Sequence, residues 1–120
     1  MTLQELYLEI EGNYKDMIER FGTEERASKF VLLFLKDNSY DMFLQAMEEK
    51  NVQDAFRAIH TLKGVCLNLG LQGMSQIVND ITELLREGNV EESTNRIPEL
   101  KALYEKHIMA IQNYGRERKS

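Results

Sequence analysis

"NVQDAFRAIHTLKGVCLNLG", residues 51–70, decides the fold. Val52, Ala55, Ile59, Leu62, Cys66 and Leu69 recur at three- and four-residue steps and fall on one side of a helical wheel. Asn51 stands where an N-cap belongs, with Asp54 three residues on, so a helix is expected over 52–69. Gly70 supplies the left-handed residue that commonly stops a helix. Each helical residue turns by about 100°, which sets the direction of every other side chain. From the middle of the apolar stripe, His60 lies about 130° away and Gly64 about 170° away, so both are expected to face solvent. Phe56 and Leu67 lie about 90° and 110° off the stripe and flank His60 along the helix. Arg57 and Lys63 put positive charge one turn to either side.

The same periodicity continues outward. Downstream, Met74, Ile77, Val78, Ile81, Leu84 and Leu85 predict a helix over 72–87, which Gly88 stops. A last helix is expected over 90–114, behind the cap-like pair Asn89 and Glu92, with Gly115 ending it; Pro98 should kink it or mark its true start. Upstream, a short helix over 40–49 follows Ser39 as cap. A helix over 24–37 follows Thr23, with Glu24 and Glu25 against the positive end of its dipole. The first helix, 3–21, opens on a capping box of Thr2 and Glu5, and Gly12-Asn13 is where it can break in two. Helices of this length on short loops pack antiparallel. The expected fold is all-α: an up-down antiparallel four-helix bundle with short extra N-terminal helices. One domain is expected over 1–120, with a central hairpin at 51–88 and a frayed tail at 115–120.

Composition bounds the function. The 120 residues can bury a real core, and 42% apolar with 29% charged residues is a globular profile. With 20 acidic and 15 basic residues the net charge is −5, against a nucleic-acid surface. The longest apolar run, "FVLLFL" at 30–35, is far shorter than the roughly 20 residues that span a bilayer. "MTLQELYLEIEG" has no basic n-region, so no secretory signal is expected. The single Cys66 leaves no internal disulfide and suits a reducing, cytoplasmic setting. It sits on the core stripe and reads as inert packing, as do most of the methionines. His107 falls among Leu100, Leu103, Ile108 and Ile111 and reads as a partly buried structural residue. Two distant histidines and one cysteine, without metal-ligand spacing, make no zinc site. No GxxxxGK[ST] loop is present, so the chain is not expected to act as a kinase or to bind ATP.

Taken singly, the residues around His60 have ordinary explanations. Exposed helical histidines are common, and a mid-helix glycine often serves close packing at a cost of about 1 kcal/mol relative to alanine. Their meeting on one face beside Phe56 and Leu67 is what asks for more. "HTLKGVCLNLG", residues 60–70, resembles the signature of histidine-containing phosphotransfer (HPt) domains: His60, Leu62, Lys63, Gly64, Asn68 and Gly70 all match. "ITELLREGN", residues 81–89, resembles the closing segment of that family's central hairpin. Val65, Cys66 and Leu67 depart from it, since small residues are usual there.

The resemblance implies a four-helix bundle whose exposed histidine carries a phosphoryl group between receiver domains of response regulators and hybrid histidine kinases. In that reading His60 is phosphorylated, Lys63 offsets phosphoryl charge as a point cation, and Gly64 leaves room for the partner. Phe56, Arg57, Leu67, Asn68 and Arg86 would contact the partner. The receiver brings the metal, so no metal or cofactor is expected in this chain, nor a nucleic-acid or membrane partner, and a monomer is implied. Two rivals stand beside it: a non-catalytic helical module binding signalling partners through the same patch, and, more weakly, a helical metal or redox protein.

Overall fold

The computed structural model describes residues 1–119, and every regular element in them is helical. Among the described residues there are seven α-helices: α1 (Leu3–Glu9), α2 (Tyr14–Phe21), α3 (Glu24–Leu33), α4 (Ser39–Glu48), α5 (Val52–Asn68), α6 (Gln72–Arg86) and α7 (Val90–Lys119). A 3-10 turn, Phe34–Lys36, follows α3. The molecule measures 43 × 26 × 19 Å. At about 1.5 Å per residue, α7 alone runs close to the full long axis. α4 packs on α5, α5 on α6 and α6 on α7, while α3 sits chiefly on α2 and α7.

The expected boundaries hold where a side chain closes the backbone. Thr2 and Glu5 form the reciprocal capping box, Asn51 Oδ1 accepts the Asp54 N–H, and Asn89 Oδ1 accepts the Glu92 N–H. Gly70 and Gly88 take φ of +62° and +79° where α5 and α6 end.

Three boundaries differ. The helix expected over 24–37 stops at Leu33 and tightens into the 3-10 turn, where Leu35 is 37% exposed. Ser39 does not cap α4 through its own side chain. It lies inside the first turn, buried, and gives both its N–H and its hydroxyl to Asp37. The last helix starts at Val90, so Pro98 is inside it, and it runs through Gly115 to Lys119 in place of a frayed segment from 115; Ser120 lies outside the described residues. Gly115 is a contact and not a stop: a Cβ there would come within 3.0 Å of Leu32 Cδ2.

One apolar core joins the helices, with Ala55, Ile59, Leu62 and Cys66 of α5 buried in it and Val52 left at its margin. Burial raises the Cys66 thiol to about 12 and keeps it protonated. Met17 and Met74 are core, but Met42 and Met109 are 55% and 63% exposed. Tyr40 and Tyr104 stack at 3.7 Å, with Phe34 edge-on to Tyr104, and tie the end of α3 to α4 and α7.

The N-terminal segment holds the α5–α6 turn. The last carbonyls of a helix have no partner within it. Here Asn68 O accepts from Arg20 Nη1 at 2.7 Å, Leu69 O from Tyr7 Oη at 2.6 Å, and Gly70 O from the Asn13 N–H at 2.9 Å. The approach is close enough that a Cβ on Gly12 would meet Gly70 O at 2.8 Å. Tyr7 is buried with its phenol pushed well above the ordinary range by burial.

Candidate functional site

α5 presents its outer face as the wheel predicts. His60, Gly64, Leu67 and Asn68 are exposed, and Lys63 and Phe56 are half-buried at the edge toward α6. His60 and Phe56, one turn apart, meet edge to face with ring centroids 5.7 Å apart and planes at 84°. That contact steadies the imidazole without covering it. A Cβ built on Gly64 meets nothing within 4 Å, so one turn beyond His60 the helix surface is open.

The surrounding cations are not equivalent. Arg57 pairs with Asp54 at 3.5 Å on the solvent side, an exposed i,i+3 pair of small energetic weight. Arg86 lies 5.1 Å over the ring of Phe56, and its Nε is 3.3 Å from Glu83 Oε2. Its charge is thus shared between a carboxylate and an aromatic face. Lys63 makes no ion pair among the described residues; with Leu67 it edges a groove of about 220 Å³ closed by Ser75, Gln76 and Asn79 of α6.

The structure therefore gathers His60, Phe56, Arg86, Lys63, Gly64 and Leu67 on one side of the α5–α6 hairpin. Arg57 stands off toward the α4 side, where it lines a different groove with Asp41, Glu49 and Thr61. Asn68 is at the end of α5, where its backbone carbonyl, not its amide side chain, takes the hydrogen bond from Arg20. Sequence reasoning centred on α5 missed Ser75, Asn79 and Glu83. Their spacing to Arg86, in steps of four, four and three, puts all four on one face of α6 and was the signal available.

His107 is separate from this face. It is buried, Nδ1 pairs with Leu103 O at 2.7 Å, and Nε2 has no hydrogen-bond partner among the described residues. Among the described residues no three His, Cys, Asp or Glu side chains come together as a metal site, and no helix is long and apolar enough to cross a membrane.

The described residues thus form an all-helical domain that displays a histidine beside an open shelf and a lysine. The family model of the Hpt domain matches residues 37–108, 72 of the 120, and the chain belongs to that family. Its place is accordingly in phosphorelay signalling. No curated protein and no solved structure matches the chain.

Proposed function

We propose that the chain relays a phosphoryl group between receiver-domain aspartates, of response regulators or hybrid kinases, through His60. The observation that carries this is the uncovered His60 imidazole beside the empty space at Gly64, in a chain of the Hpt family. A neutral imidazole nitrogen offers its lone pair to the phosphorus of an incoming acyl phosphate. The N–P bond forms as the acyl P–O bond breaks, and the aspartate leaves as carboxylate. Transfer onward is the same step reversed on a second aspartate.

Lys63 offsets phosphoryl charge, and Gly64 admits the partner's rim. Phe56 holds the imidazole upright and, with Leu67, gives the partner an apolar contact; Arg57, Asn68 and Arg86 border it. We read α4–α7 as an up-down four-helix bundle. The connections at 49–51, 69–71 and 87–89 are three residues each, too short to carry the chain back along a helix before the next begins. A monomeric, cytoplasmic protein suits the same reading.

The test is to incubate the full chain with a phosphorylated receiver domain and map acid-labile phosphate. Label on His60, lost in His60→Gln, is expected. Labelling that persists in His60→Gln overturns the proposal. Receiver binding indifferent to both His60→Gln and Lys63→Ala, with no transfer, would establish the non-catalytic module instead.

A further inference from the structure

α3 with its 3-10 turn and the last turns of α7 enclose a groove of about 670 Å³, lined by Lys29, Leu32, Leu33, Leu35 and Lys36 on one wall and by Gln112, Gly115, Arg116 and Arg118 on the other. We propose that this groove is a second docking site, which takes an acidic amphipathic helix of a partner protein.

Its floor is apolar and wet. Leu33 is 47% exposed and Leu35 37%, and covering such surface is favourable at roughly 25 cal/mol per Å². Leu35 lies in the 3-10 turn and faces the groove from there. Gly115 keeps the trough open, because a side chain there would press on Leu32.

The rim reverses the sign of the molecule. In a chain of net charge −5, Lys29, Lys36 and Arg118 line the groove beside Arg116, which is already engaged, and no carboxylate lines it among the described residues. Arg118 rests on the Tyr114 ring, while Lys29 and Lys36 make no ion pair among the described residues. Apolar residues at helical spacing would fill the floor, and flanking Asp or Glu would meet the lysines. The concave floor also selects against a flat anionic membrane, which would touch the rim alone.

The groove is independent of the His60 face. Every lining residue lies outside the matched segment 37–108, and α3 packs chiefly on α2 and α7. Both sites can therefore be filled together.

The probe is a helical peptide with leucine at every third or fourth position and glutamate elsewhere, titrated into the full chain. Binding with Kd on the order of micromolar is expected, with amide NMR shifts confined to 29–36 and 112–118. Lys29→Glu with Lys36→Glu, and separately Leu33→Ser with Leu35→Ser, should each weaken it about tenfold while circular dichroism is unchanged. His60→Gln should bind as the parent does, which separates this site from phosphotransfer. Equal binding of a lysine-for-glutamate peptide overturns the proposal. So does capture by phosphatidylserine vesicles without peptide binding, or self-association abolished by Leu33→Ser.

Discussion

Gly64 sits in the middle of a 17-residue helix, where glycine weakens the backbone and fills no space. A fold selected for stability alone has no use for it there, because a methyl group would meet nothing within 4 Å. Stability and transfer should therefore move in opposite directions. Gly64→Ala is expected to raise stability by about 1 kcal/mol in urea unfolding, while the rate of phosphoryl uptake from a receiver falls; Gly64→Gln should slow it further. An uptake rate unchanged in both variants would mean that the gap serves no partner. His60→Gln makes the matching control. Because the ring is exposed, its loss should leave the unfolding free energy within about 0.5 kcal/mol of the parent while transfer disappears.

At the scale of elements, helices were legible wherever a local rule acts alone. The Thr2 box, the Asn51 and Asn89 caps and the glycine stops at 70 and 88 each close a helix using neighbours in sequence. What escaped reading depends on distant partners. Buried Tyr7 reaches across 62 residues to donate to Leu69 O, a bond with no local trace in the sequence. Gly115 reads as a terminator until Leu32 is seen against it. The exposed face of α5 was legible from angle alone, whereas the held state of Arg86 needed Glu83 and Phe56 in three dimensions. Two substitutions follow from these long contacts. Tyr7→Phe should cost about 1–2 kcal/mol, since it strands a buried carbonyl at the end of α5. Pro98→Ala should stabilise α7 by about 2–3 kcal/mol, because the exposed ring lies inside a helix that continues on both sides of it. Urea midpoints measure both, and a loss of stability in Pro98→Ala would show that the proline sets a bend the packing requires.

Over the whole molecule, the N-terminal segment and α7 meet at His107, and there the fold acquires a dependence on pH. The ring is buried with Gly73 against it: a Cβ on that glycine would lie 3.1 Å from Nε2 and 2.4 Å from Ile10 O. Burial lowers the His107 pKa from its ordinary 6.5, Lys106 acts the same way, and the Leu103 carbonyl, Glu11 and the Ile10 backbone oppose without prevailing. The unfolded chain takes up a proton as pH falls through 6.5, while the folded imidazole stays neutral to lower pH. The unfolded state therefore binds more protons in that window. The contribution is whole above 6.5 and drains away as pH drops toward the lowered folded value. Unfolding free energies measured at pH 7.5 and 5.5 should thus fall more for the parent chain than for His107→Gln, which can keep a donor for Leu103 O but carries no titrating ring. Equal losses would place the acid sensitivity elsewhere. A larger loss in the variant would mean that the buried ring is charged in the fold, held between the Leu103 carbonyl and its surroundings, with the sign of the linkage reversed.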